Sequence, residues 1–168
     1  MIMVMVPPDI IPFSGRFEGS AHYFACRVYF EDTDFSGIVY HANYLRYMER
    51  ARSDMLRCVG IDQRSTYDAG GGVYAVADMQ LRFVRPAKMD DDLIVMSQIT
   101  RLRAAACIIH QRVIRRSHSM ADSAETLLEA DVTAAFISPE GRPIRQPRAW
   151  MDAFSAILVP DQKDRPPI

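Results

Sequence analysis

Neither sign of charge dominates this chain, no apolar run in it is long, and its few cysteines form no motif. Twenty Lys and Arg face twenty-one Asp and Glu over 168 residues, so no overall basic field exists to gather nucleic acid or an anionic membrane. No uninterrupted apolar stretch approaches the roughly 20 residues needed to cross a bilayer, which argues against membrane insertion. The apolar start MIMVMVPPDIIPF has no basic region, is broken by Pro7, Pro8 and Pro12, and lacks a small-residue cleavage site; it reads as an extension, not a signal. Cys26, Cys58 and Cys107 are odd in number and far apart, with no CxxC pair and no Cys/His spacing suited to zinc. They read as free, mostly buried thiols in a reducing compartment, and the expected location is cytoplasmic.

What is present is the composition of one ordinary globular domain, 49% hydrophobic and 24% charged, without repeats or low-complexity segments. HYFACRVYF, residues 22–30, is aromatic and β-branched over strand length. From Asn43 to Val59, Tyr44, Met48, Ala51, Met55 and Cys58 recur at spacings of three and four, the stripe of a helix buried on one side. Asn43 is the candidate N-cap and Gly60 the candidate C′ residue. In GVYAVADMQLRFVRP, Val73, Ala75, Ala77, Met79, Leu81 and Phe83 alternate with Tyr74, Asp78, Gln80 and Arg82 at the period of a half-buried strand, ended by Pro86. Three more strands are expected at Leu93 to Leu102, Ala105 to Arg115 and Thr126 to Ser138. The connections between them, such as Lys88 to Asp92 and Ser117 to Ser123, are short and polar, as antiparallel pairing requires. Ala149 to Leu158 reads as a short outer helix. The pattern is α+β, one long helix on an antiparallel sheet.

The chemistry concentrates in RVYFEDTDFSGIVYHANYLRYMERAR, residues 27–52. A strand delivers Glu31, Asp32 and Asp34 into a loop containing Gly37, and His41 follows beside a helix start. The N-terminus of a helix exposes unpaired N–H groups and the positive end of the dipole, suited to polarising a carbonyl oxygen. A carboxylate facing such a site can attack a carbonyl or position a water. Acidic loops before helices more often cap or solvate the helix end, so position alone does not select the catalytic reading.

The pattern R-V-x4-T-D-x2-G-I-V-Y-x2-N-Y-x2-Y, Arg27 to Tyr47, resembles the active-site signature of the 4-hydroxybenzoyl-CoA thioesterase family. Within it the segment resembles most the YbgC type of acyl-CoA thioesterase, where EDTD, a GIVYH-like run and an NYxxYxERAR-like helix occur together. RFVRPAKMDDDL and ETLLEADVTAAFISPEGRP extend the likeness, so that residues 22–148 are covered. The resemblance implies a hot-dog fold, a long central helix wrapped by a five-stranded antiparallel sheet. The expected organisation is an extension at 1–20, the hot-dog domain at 21–148, and a short helix and tail at 149–168.

It further implies acyl-CoA hydrolysis with Asp34 as nucleophile or general base, the N–H of His41 polarising the thioester carbonyl, and the His41 side chain orienting water or substrate. Gly37, Tyr40, Asn43 and Tyr47 are the implied loop-shaping and substrate-binding positions. A homodimer or homotetramer is implied, with the site at a subunit interface. No metal and no cofactor is called for, coenzyme A being part of the substrate. Position 30 is Phe where many relatives carry Tyr, so that hydroxyl is absent.

Other candidates carry less. His22, His110 and His118 have no metal-like spacing and read as structural. Ser36 with His41 lacks an oriented acid and a nucleophile elbow. Asp90, Asp91 and Asp92 read as a solvated turn. Arg82, Arg85, Lys88, Arg101, Arg103, Arg115 and Arg116 are candidates for the CoA phosphates. Two other functions compete with thioester hydrolysis: a non-catalytic acyl-CoA sensor or scaffold, and a hot-dog hydratase or dehydratase, whose His/Asp motif is not recognisable here.

Overall fold

The computed structural model describes residues 12–116 and 124–159. Its elements are β1 (Arg16–Glu18), β2 (Ala21–Arg27), α1 (His41–Cys58), α2 (Gln63–Asp68), β3 (Val73–Phe83), β4 (Asp92–Arg103), β5 (Ala106–Arg115), β6 (Glu125–Ile137) and α3 (Arg148–Ala156). The strands form one sheet in the order β1-β2-β4-β5-β6-β3, and every pairing is antiparallel. The five long strands match the expected set; the short β1 adds a sixth. The connection at Ser117 to Ser123, with His118, lies outside the described residues.

The buried stripe of α1 holds the molecule together. Tyr44, Tyr47, Met48 and Ala51 pack with Val95, Val113, Leu128 and Val132 from the facing strands. Met55 and Leu56, one to two turns on, join a second cluster that Trp150 and Phe154 of α3 close from the end. Gly60, at φ +78°, ends the helix as read from the sequence.

Three boundaries differ for physical reasons. β2 stops at Arg27, because Phe30–Asp32 coil into a 3-10 turn. α1 begins at His41, with Tyr40 extended in the N-cap position, so Asn43 lies inside the first turn and is not the cap. In β3 a bulge between Val76 and Asp78 reverses the parity of the strand. Tyr74 therefore turns inward before the bulge and Met79 and Leu81 after it, so the single alternating face expected for Val73 to Phe83 is split. Helix α2, capped by Asp62 accepting from the Ser65 N–H at 3.0 Å, was not expected.

Two of the polar readings also change. Cys107 is buried and Cys26 partly so, but Cys58, the last residue of α1, is exposed. Asp90 takes φ 67° in a tight turn, and its neighbours are engaged: Asp91 accepts from Arg115 at 3.0 Å and Asp92 from Arg27 at 2.8 Å.

Candidate active site

Between β2 and α1 the chain makes a knot of backbone hydrogen bonds that presents Asp34. The Asp34 N–H donates to the Ile38 carbonyl at 3.0 Å, and the Gly37 N–H returns to the Asp34 carbonyl at 2.9 Å. Gly37 sits at φ +76° with open space around it, a conformation that costs a residue with a Cβ about 1–2 kcal/mol. Val39 then ties the loop to the sheet side through its N–H to Ala87 at 2.9 Å, and the Ala87 N–H in turn donates to the buried Tyr44 hydroxyl at 2.8 Å.

The helix start is fastened to the same loop. Tyr40 N–H donates to the Asp32 carbonyl at 2.9 Å, and the Asn43 side-chain amide reaches that oxygen at 2.9 Å. The Asp32 carboxylate accepts from the Tyr29 N–H at 2.8 Å and so holds the 3-10 turn closed. One carbonyl, that of Asp32, thus fixes both the end of the acidic turn and the first turn of α1. The sequence marked Asp32 only as one of three carboxylates; its structural use is through the backbone, for which no side-chain signal exists.

Asp34 is exposed on this loop. Its carboxylate accepts from the Ser36 N–H at 2.8 Å and from the Ser36 hydroxyl. These two donors hold its ionisation below the ordinary carboxylate range, with a smaller contribution from the nearby His41. Ser36 is accordingly a partner of the carboxylate. His41 is the first residue of α1, exposed, with its ring 4.3 Å from that of Tyr40. In a helix the first N–H groups have no intrahelical acceptor, and those of His41 and Ala42 belong to that set.

Tyr47 is buried, and its hydroxyl has no partner at hydrogen-bond geometry among the described residues. Burial first, and then the neighbouring Asp32 carboxylate, push its ionisation well above the ordinary phenol range, so it remains a protonated donor. Around the loop an apolar surface is left in the open: Tyr29, Phe30, Phe35, Tyr40 and Met89 are all exposed, Phe35 fully.

Among the cations read from the sequence, Arg82 pairs with Glu129, Arg85 with Glu125, and Arg115 with Asp91 and Glu125. Arg116 instead lines a cavity of about 500 Å³ together with Arg27, Arg50, Phe13 and Tyr29.

One long helix laid on an antiparallel sheet, with an acidic loop knotted to the helix start, is the arrangement of the hot-dog class of thioesterases. The model of the Thioesterase-like superfamily matches residues 28–158, and the chain belongs to that family. Similar curated proteins include the acyl-CoA thioester hydrolase YbgC of Escherichia coli O157:H7, 36% identical over 102 residues, which are 61% of this chain and 75% of that one. The acyl-CoA thioesterase YbgC of Helicobacter pylori strain J99 is 30% identical over 79% of this chain and 98% of its own. Among solved structures, a probable thioesterase from Bartonella henselae is 38% identical with a TM-score of 0.63, covering 76% of this chain and 98% of that one. The 4-hydroxybenzoyl CoA thioesterase of Pseudomonas sp. strain CBS-3 shares the fold at 21% identity, TM-score 0.71, over 79% of this chain and 98% of its own.

Proposed function

We propose that the protein hydrolyses an acyl-CoA thioester, with Asp34 as the reacting carboxylate and the first turn of α1 as the site that polarises the carbonyl. The observation that carries this is the shared anchor at the Asp32 carbonyl, which holds the loop bearing Asp34 against the start of α1. The kinship with acyl-CoA thioesterases of the YbgC type supports the substrate class.

Ionised at neutral pH, its charged form further favoured by the Ser36 donors, Asp34 attacks the thioester carbon or takes a proton from a water that does so. The carbonyl oxygen gains negative charge and is met by the N–H of His41. The C–S bond then breaks, the thiolate of CoA leaves, and water supplies the oxygen of the carboxylic acid. No metal or cofactor is needed, since a thioester carbonyl is electrophilic and a thiolate leaves well. Tyr40, Asn43, Tyr47 and Gly37 shape the site around the acyl group, and Arg50 and Arg116, in the cavity they share, are the candidates to meet phosphates of CoA.

In a single chain Asp34 stands open to water, surrounded by exposed aromatics, whereas such chemistry gains from water exclusion. A second copy supplies the cover. The exposed outer edge of β3, with Val76 and Phe83 about half exposed, offers the strand for that pairing. The working unit is therefore a homodimer, or a homotetramer built from it. No helix among the described residues is long and apolar enough to cross a membrane, and the three free cysteines suit a cytoplasmic location.

The test is free-thiol release from short, long and aromatic acyl-CoA esters, with a no-substrate control for the protein's own cysteines and a parallel measurement of mass in solution. Hydrolysis of one ester class by a dimer or tetramer is the expected result. Binding of acyl-CoA without hydrolysis of any ester points to a sensor instead.

A further inference from the structure

At the far end of α1 from Asp34, three ligand-type side chains distant in sequence converge. Asp54 and Cys58 lie one turn apart on the same face of the helix, and His22 comes from β2. His22 Nε2 stands 2.9 Å from Asp54 Oδ2, while Cys58 Sγ stands 3.7 Å from that oxygen and 3.8 Å from the nitrogen. All three ligand atoms lie within 4.8 Å of one another. The segment before β1 closes over them. Ser14 Oγ donates to Asp54 Oδ1 at 3.1 Å and lies 3.8 Å from the Cys58 sulfur; Gly15 N–H donates to Asp54 Oδ2 at 2.8 Å, and its carbonyl is 3.7 Å from the same sulfur. The approach is so close that a Cβ on Gly15 would meet His22 Nε2 at 2.8 Å and Asp54 Oδ2 at 2.9 Å.

A nucleophilic triad is the first reading to discard. In a Cys-His-acid relay the imidazole bonds the thiol through one nitrogen and the acid through the other. Here both partners meet Nε2, and the buried Nδ1 has no partner among the described residues.

The three ligand atoms are instead grouped closely enough to share one ion. Sγ has four oxygen or nitrogen neighbours at 3.7–3.8 Å, two of which, the Gly15 carbonyl and the Asp54 carboxylate, can only accept its single S–H. Tetrahedral bonds of about 2.0–2.1 Å to N and O and about 2.3 Å to S set ligand atoms roughly 3.4–3.6 Å apart, close to the two contacts of Cys58 and a short relaxation from the His22–Asp54 contact. Imidazole, carboxylate and thiolate together select a borderline-soft divalent ion over magnesium or calcium. Cys58 is exposed, so the ion has an entry.

We propose that His22, Asp54 and Cys58 form a structural Zn²⁺ site, with Ser14 or water in the fourth position, that fastens the segment before β1 to α1 and β2. On binding, the Sγ–H proton is released to solvent as the Zn–S bond forms, and the imidazole proton moves from Nε2 to Nδ1 so that Nε2 can donate its lone pair to the ion. The site is remote from the reaction and independent of the function proposed above. Spacing along the sequence conceals it, because β2 and α1 contribute ligands 32 and 36 residues apart.

Titration of the reduced, chelator-stripped full-length protein with Co²⁺ tests this. One Co²⁺ per chain, with a thiolate charge-transfer band and intense tetrahedral d–d absorption that Zn²⁺ abolishes by displacement, is expected. Zn²⁺ should also raise the melting temperature. Cys58→Ser, at the exposed rim, should lose the charge-transfer band and the Zn²⁺-dependent rise while keeping its circular dichroism and thioester hydrolysis. Should that variant fold poorly, wild-type protein alkylated with iodoacetamide and mapped by mass spectrometry decides the matter, with Cys58 protected by Zn²⁺. A wild type without the band, a band that survives Cys58→Ser, or equal alkylation of Cys58 with and without Zn²⁺ overturns the proposal.

Discussion

The side-chain amide of Asn43 donates to the backbone carbonyl of Asp32 across 2.9 Å, joining the first turn of α1 to the loop that carries Asp34. Asn43 is largely buried, so its removal is not compensated by bulk water. Asn43→Ala should cost about 1 kcal/mol of stability, the usual worth of such a bond. It should lower kcat by about tenfold or more, because displacement of reacting groups by about 1 Å is costly out of proportion to the bond. Thermal unfolding and steady-state kinetics on the same sample check both; wild-type kcat would detach Asn43 from the site.

His41 permits a test that separates its backbone from its side chain. It occupies the first helical position, where proline is tolerated, and Tyr40 before it has φ −60° and ψ 131°, the conformation a following proline demands. His41→Pro therefore deletes one N–H with little change in fold, and should reduce kcat by about 10²- to 10³-fold if that N–H meets the oxyanion. His41→Ala keeps the N–H and should be affected much less. Equal activity of the two variants would assign the role to the side chain or to neither.

The Ser36 donors give a pH prediction with a definite sign. They stabilise the charged form of Asp34 and hold its pKa below the ordinary value of 3.8, so the carboxylate stays ionised down to that pH and the acid limb of kcat/KM lies beneath it. Ser36→Ala removes the hydroxyl donor, the pKa rises, and the acid limb should move to higher pH while kcat/KM at neutral pH is unchanged. A limb that stays in place or moves downward contradicts this assignment.

Tyr44 carries the support of the loop into the core. Its hydroxyl accepts from the Ala87 N–H, and Ala87 in turn accepts from Val39. Both Tyr44 and Ala87 are buried, so Tyr44→Phe strands a donor at a cost of about 1–3 kcal/mol. Chemical denaturation should show that loss as a lower midpoint with an unchanged slope. An unshifted midpoint would mean that the N–H finds another acceptor.

The elements legible in the sequence are those written in hydrophobic period. Tyr44, Met48, Ala51 and Met55 announced α1, and all four are buried; β4, β5 and β6 lie within a residue or two of their expected bounds. What escaped has no periodic mark. Three residues, Arg16–Glu18, are too few to alternate, and the six of α2 are too few to form a stripe. The bulge at Val76 to Asp78 changes parity through pairing with Ala134 and Thr133 of β6, distant in the sequence. Arg52 and Asp54 are charged residues outside the apolar stripe of the helix, yet both are buried. Asp54 meets His22, and Arg52 donates to Gln111 at 2.7 Å, contacts that only the closed sheet creates. At the site the order of Asp34, Gly37, His41 and Asn43 was legible through resemblance. The convergence of two donors on the Asp32 carbonyl was not, because a backbone acceptor carries no residue type.

Release of CoA from the preferred acyl-CoA ester by wild type and by Asp34→Asn, with ester binding measured in parallel, tests the central claim most directly. The amide replaces the carboxylate at similar size, so the fold and binding should persist while turnover falls by about 10²- to 10⁴-fold, the usual contribution of a positioned base. Turnover in Asp34→Asn equal to that of wild type, with binding intact, would remove Asp34 from the chemistry and the mechanism with it.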